Sequence, residues 1–441
     1  MRLYKISTTA VLALSLAGCG LFAKDRLEID GERIPVLETR QTVTADYMAG
    51  DINIVLPAPV KNEAWTQTGG NAGHNMGHPN SGEKLQKQWS ESFGKGASGR
   101  DYLLAAPIIA GEFVFTIDAD ATVSAFRQAD GKRLWKRRLK PQLREDKDVS
   151  LKGAGLAWYD GTVFATTGFG GVFALNPADG SVKWQHFLPA PLRIAPTTGG
   201  GKVFVQTIDN LLAALDAKTG SEIWRYAAAK EETGKIGGAA PAYSEADDVL
   251  IAGFSNGELR ALKASTGSPL WSDYLVSANR TNLLADINSI LASPVIAGDV
   301  VFAAGSNNLL VAIDLRSGQR IWEREIGSAN MPWLAGKYLF VLANDGRLMA
   351  VEADSGKVIW DTKIPAGNDV SDQVGVVFAG PLLTGNRLLV NSSNGYAFYV
   401  SPYTGKILGY IELDGGSSLP PVAAAGMVAF ATGDADIVVY R

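Results

Sequence analysis

Along most of the chain, apolar positions come in short runs of four to six residues, cut by polar pairs that favour turns. The stretch from Ser293 to Trp322 is representative. Its runs Pro294–Ala297, Val300–Ala304 and Leu309–Ile313 are separated by Gly298-Asp299 and Ser306-Asn307-Asn308, and a final short run ends on Ile321-Trp322 after Ser317-Gly318. Four strands fit this pattern. Continuous β-branched runs of this length suit strands buried on both faces, and Asn, Asp, Ser or Thr beside Gly supplies the positive-φ turns between antiparallel neighbours. No segment shows convincing helical periodicity, so the expected class is all-β.

A repeat governs the register of these runs. Ala, six residues to Gly and four more to Trp recur as Ala125/Gly131/Trp135, Ala174/Gly180/Trp184, Ala214/Gly220/Trp224, Ala261/Gly267/Trp271, Ala312/Gly318/Trp322 and Ala350/Gly356/Trp360, with a degraded seventh copy at Tyr399/Gly405/Gly409. The glycines are spaced by 49, 40, 47, 51, 38 and 49 residues, the period of a propeller blade. In each copy the Gly serves the turn into the outermost strand, and the Trp lies across the gap to the next blade. After the seventh copy, Pro420–Tyr440 holds three strands without an outer strand. Far upstream, Lys84–Trp89 is an orphan outer strand ending in Trp. Joining the two removes an exposed sheet edge. The expectation is therefore an eight-bladed β-propeller of four-stranded antiparallel blades, the last closed by an N-terminal strand, over residues 62–441. Seven blades is the alternative if the degraded copy is a decoration.

The N-terminus reads as an address. Arg2 and Lys5 precede an apolar run from Ile6 to Leu16, too short to span a bilayer, and then Leu16-Ala17-Gly18-Cys19. That tetrad resembles a bacterial lipobox. Residues 1–18 are expected to be a lipoprotein signal peptide, Cys19 the acylated mature N-terminus, and 19–61, with Pro57-Ala58-Pro59, a lipid-anchored tether. Cys19 is the one cysteine of the chain, which excludes an intramolecular disulfide and any multi-cysteine metal cluster. With 41 Lys+Arg against 45 Asp+Glu the net charge is −4. Losing Arg2 and Lys5 with the signal peptide makes the mature chain −6. Nothing here would neutralise a phosphate backbone, so no nucleic-acid partner is expected.

Candidate chemistry is sparse. His74 and His78 have a spacing that suits a metal only on a helix, and the glycines around them argue for a polar loop covering one face of the ring instead. Gly253-Phe-Ser255-Asn-Gly257 matches a nucleophile elbow in letters, but it occupies the hairpin-turn position of the repeat. Asp434-Ala-Asp436, a conceivable calcium loop, sits in the same turn of its own repeat. No acid/base pair accompanies a nucleophile, so neither an enzyme, a cofactor nor a metal is expected.

The pattern Ala-x-Asp-x-x-Thr-Gly-x-x-x-Trp, clearest at Ala214–Trp224, resembles the tryptophan-docking motif of the pyrroloquinoline-quinone-dehydrogenase-like propellers over residues 65–441. One branch of that family, the quinoprotein alcohol dehydrogenases, carries a vicinal disulfide that lone Cys19 cannot make. The lipobox, chain length and acidic balance are similar to the other branch, the lipoprotein scaffolds of the outer-membrane β-barrel assembly machinery. That resemblance implies a non-enzymatic protein on the periplasmic face of the outer membrane of a Gram-negative bacterium. It would dock on the POTRA domains of the barrel-inserting subunit and aid unfolded outer-membrane proteins. The alternative is a periplasmic quinoprotein or ligand-binding propeller. The resemblance also implies partner-binding residues in two inter-blade linkers: Leu192 and Arg193, within Ala190–Pro196, and Asp286 with Asn288, where Asn replaces a second acid. Both linkers join an outer strand to the next inner strand and so share one face, on which an exposed Leu beside an Arg would serve as an anchor.

Overall fold

The computed structural model describes residues 43–441 apart from 49, 83, 100, 143–151, 232–236, 276–288 and 367–374. Among them are eight four-stranded antiparallel sheets. Blades one to seven run Ile108–Arg138, Gly153–Phe187, Thr197–Ala227, Ala242–Tyr274, Val295–Arg324, Trp333–Lys363 and Phe378–Glu412. Blade eight takes three strands from Val422–Tyr440 and its outermost from Lys87–Ser92, the closure expected from the orphan strand. The degraded seventh copy forms a whole blade: Tyr399 faces Gly409 across the outer pair as Ala350 faces Trp360 one blade earlier. Seven blades is thereby excluded.

The repeat has a mechanical meaning. Each Trp lies on the turn glycine of the following blade and donates its indole N–H to a nearby carbonyl there. Trp184 donates to Ala217 O at 3.0 Å and Trp224 to Ala264 O at 2.9 Å. Trp89 spans the closing seam in the same way, to Gln128 O at 3.1 Å. Gly220 shows why no other residue serves: its φ is +74°, and a Cβ there would sit 2.5 Å from the Trp184 ring. Middle strands such as Thr162–Thr167 and Val249–Gly253 are buried along their whole length, because blades stack on both sides of them.

The innermost strands are only about one pleat long in most blades, and a non-repeating segment completes them. Residues 62–79 meet all eight blades in ring order. Asn62 O accepts from Ala425 N of blade eight, Trp65 exchanges both backbone bonds with Ile109 of blade one, and Thr66 O accepts from Trp158 N of blade two. Gln67 bonds Thr198 of blade three; Ala72 O and Gly73 O accept from Tyr243 N and Ile296 N of blades four and five. Gly77 O takes the Trp333 indole N–H of blade six, and Pro79 O takes Gly385 N of blade seven. Inner-edge donors that would otherwise lack partners are satisfied by this circuit. Residues 43–57 apart from 49, expected as spacer, lie along blade six: Asp46 N donates to Val358 O at 2.8 Å and Val55 N to the Tyr338 hydroxyl at 3.2 Å.

Candidate functional site

The linker Ala190–Pro196 enters blade three. Leu192 does not present the exposed tip expected of it: it is fully buried, packed with Phe164, Val172, Val203 and Val205. Its N–H donates to Thr167 O at 3.2 Å, and the residue bridges to Thr207. The linker turns inward here because the seam between blades two and three offers an apolar seat, and a Leu that fills it is worth about 2 kcal/mol or more. The exposed apolar group on this face is instead Ile208, 39% exposed in the turn of blade three, with its N–H on Pro191 O at 2.9 Å. It escaped the sequence reading because an apolar residue at a turn carries no label of its exposure.

Arg193 is half-buried and makes no ion pair or side-chain hydrogen bond among the described residues; its Nε is buried without a partner. It lines a cavity of about 240 Å³ together with Ile194, Gln206, Ile208, Asn210 and Ser255. Around this cavity the polar groups are held in place. Gln206 Nε2 donates to Gly253 O at 2.9 Å, and Asn210, with φ +65°, donates Nδ2–H to Ala229 O at 2.6 Å. Asn210 Oδ1 accepts from Ser255 N and Oγ at 3.1 and 3.0 Å. At the rim, burial pushes the Asp209 carboxyl up, but hydrogen bonds from Thr207 and Lys230 outweigh it and hold the group below its ordinary value. The site thus offers a guanidinium without an ion pair among the described residues beside an exposed aliphatic side chain, an arrangement suited to holding a partner rather than to bond chemistry. The residues Asp286 and Asn288 fall outside the described residues, as does Cys19.

Other candidates fall elsewhere. Ser255 sits between two strands rather than before a helix, and its Oγ is spent on Asn210. His74 and His78 lie in the circuit of residues 62–79, and both are buried. His74 Nδ1 donates to Pro294 O at 2.7 Å, and burial pushes its pKa down to about 4 despite that bond. Both ring nitrogens of His78 face carbonyls, those of Pro57 and Gly385. The two rings therefore do not converge on a common point, and no group of three or more His, Cys, Asp or Glu that could hold a metal occurs among the described residues.

Comparison with known proteins fits this geometry. The family model described as outer membrane protein assembly factor BamB matches residues 119–362. BamB of Yersinia pestis is 30% identical over 246 residues, which are 55% of this chain and 62% of that protein. The match thus spans less than two thirds of that relative. BamB of Bordetella pertussis is 25% identical over 82% of this chain and 88% of its own length. BamB of Escherichia coli K12 is 28% identical over 77% and 84%. Among solved structures, BamB from Moraxella catarrhalis superposes with a TM-score of 0.68 at 18% identity, covering 81% of this chain and all of that one. A quinohemoprotein alcohol dehydrogenase from Pseudomonas putida HK5 does so at 0.70 with 15% identity, covering 88% and 83%. At such identities both structures report the fold alone.

Proposed function

Because this chain belongs to the family of outer membrane protein assembly factor BamB, we propose that it is a non-catalytic scaffold of the outer-membrane β-barrel assembly machinery. It docks on the POTRA domains of the barrel-inserting subunit and aids insertion of outer-membrane proteins. Residues 1–18 direct export, Cys19 carries the lipid, and the body faces the periplasm. The observation that carries the reading is Arg193: a half-buried guanidinium without an ion pair among the described residues, on a loop face beside exposed Ile208. Its buried Nε–H, without an acceptor among the described residues, is a donor that a docked partner would satisfy. Asp286 and Asn288, outside the described residues, join this reading through the sequence resemblance alone. Against the quinoprotein alternative stand the single Cys19 and the circuit of residues 62–79, which lines the inner edges of the blades with the chain itself.

The test is co-purification of the lipidated protein from detergent-solubilised envelope, wild type beside Arg193→Glu, with mass spectrometry of what accompanies each. The barrel-inserting subunit should come with wild type and be lost with the variant, while the two chains unfold at the same denaturant concentration. Equal recovery from both would remove Arg193 from the docking face. A redox partner or quinone in place of that subunit would overturn the scaffold reading.

A further inference from the structure

We propose that the outer strand of blade one is a docking surface for the anionic headgroups of a phospholipid membrane. Lys132, Arg133, Lys136, Arg137, Arg138 and Lys140 place six cations in nine residues without one acid, which leaves the rest of a chain of net charge −4 at −10. The strand Arg133–Arg138 is exposed at every position but half-buried Trp135. Among the described residues, little of this charge is neutralised. Arg138 reaches Asp120 at 3.2 Å, Arg137 Nε donates to Gly180 O at 2.9 Å, and Arg133 bonds Ser92 O. The exposed side chains of Lys132, Lys136 and Lys140 have no ion pair among the described residues.

Other blades treat the same position differently. In blade three Arg225 is held by Glu222 at 2.6 Å; in blade five Arg320 is held by Asp273 at 2.7 Å and by Glu323 at 2.6 Å. A lysine on an edge strand discourages edge-to-edge pairing, and the single Lys183 of blade two is enough for that. Blade one carries far more than that role requires.

The shape of the patch selects the occupant. The cations are strung over about 25 Å of extended chain, at about 3.3 Å per residue, with flexible stems. The cavity described above lies at blades three and four, not beside this strand. Such an array suits a diffuse, laterally mobile layer of phosphate charge better than a shaped acidic polypeptide. Leu134, 39% exposed between the cations, adds an apolar contact. The inference rests on the reading of Cys19 as a lipid anchor, since one acyl anchor holds a protein more firmly when a basic patch assists it.

The test uses the mature chain with Cys19→Ser, so that no acyl chain takes part, floated with vesicles of phosphatidylcholine alone or mixed with phosphatidylglycerol. It should float with the mixed vesicles only, and raised salt should release it. Lys132→Gln/Lys136→Gln/Lys140→Gln should lower partitioning about a hundredfold. A control with equal net charge, Lys218→Gln/Lys337→Gln/Lys406→Gln, should leave it unchanged. Equal flotation on both vesicle types, or equal loss in both triple variants, would overturn the proposal. Retention on immobilised polyglutamate without flotation would also overturn it and assign the strand to an acidic protein. The intact mass of the wild-type mature N-terminus reports acylation separately: an unmodified Cys19 removes the anchor reading, whereas phosphatidylglycerol-dependent flotation would still support the docking surface.

Discussion

Leu192 and Ile208 show at the scale of single residues how burial redistributes the roles that a motif implies. Leu192 stands in the motif position, yet it fills the seam between blades two and three. Leu192→Ala should lower stability by about 2–5 kcal/mol, as deletion of a buried aliphatic side chain does. Any loss of partner would then follow from that. Ile208→Ala should unfold within about 0.5 kcal/mol of wild type and still weaken co-purification of the barrel-inserting subunit. Urea unfolding beside the co-purification assay separates the two. If Leu192→Ala unfolds with wild type while docking is lost, Leu192 acts at the interface after all and the packing argument fails. The sequence could place both residues on the correct face, because linkers and turns alternate with strands in a known order. It could not say which one points outward, because that depends on Phe164 and Val203, which belong to different blades.

Among the elements, the blades and the axial circuit were legible to very different degrees. A blade repeats its glycine and tryptophan in fixed register, so each copy supports the reading of the others. The circuit of residues 62–79 occurs once, and its partners, backbone groups in every blade but the sixth, are spread over all eight blades, which no local pattern encodes. Only its glycines and polar residues hinted at a covering loop. One group in it has a measurable consequence. The pKa of His74 falls from an ordinary 6.5 to about 4, chiefly through burial. The unfolded chain therefore binds a proton between these values that the folded chain refuses. This contribution to stability is fully present above about pH 6.5 and is lost as pH falls toward 4. Between pH 7 and pH 5 the loss should be about 2 kcal/mol. His74→Asn tolerates the residue's φ of +60° and removes the titration, so its urea midpoint should change less over that range. Identical slopes for the two chains would place the acid sensitivity elsewhere.

The ring as a whole explains why the seventh repeat lost its tryptophan. In blades one to seven a Gly turn leads into the outer strand and gives the previous blade's Trp a platform, as Gly405 does for Trp360. Blade eight has no such turn, because its outer strand, Lys87–Ser92, arrives from the other end of the chain and pairs with Asp436–Tyr440. With no platform ahead of it, a Trp at position 409 would have nothing to rest on, and Gly stands there instead. The seam between blades seven and eight thus lacks the indole contact that the other seams possess, and its outer strand leaves Leu408 and Tyr410 more than half exposed. The closing seam from blade eight to blade one keeps its indole, Trp89, which stacks near Phe126 with ring centroids 6.4 Å apart. The covalent discontinuity therefore lies within blade eight, between Lys87–Ser92 and Asp436–Tyr440, whereas the missing indole contact lies at its seam with blade seven. In native-state hydrogen exchange, where protection tracks the free energy of local opening, the amides of Ile407–Glu412 should exchange faster than those of Glu222–Ala227. The amides of Lys87–Ser92 should be protected like Glu222–Ala227 despite lying near the chain's start. Trp89→Ala should reverse that order at the closing seam and leave Ile407–Glu412 unchanged. If Lys87–Ser92 were instead the first strand to exchange in wild type, the ring would open where the chain ends meet, and the indole contact would not be what holds its seams.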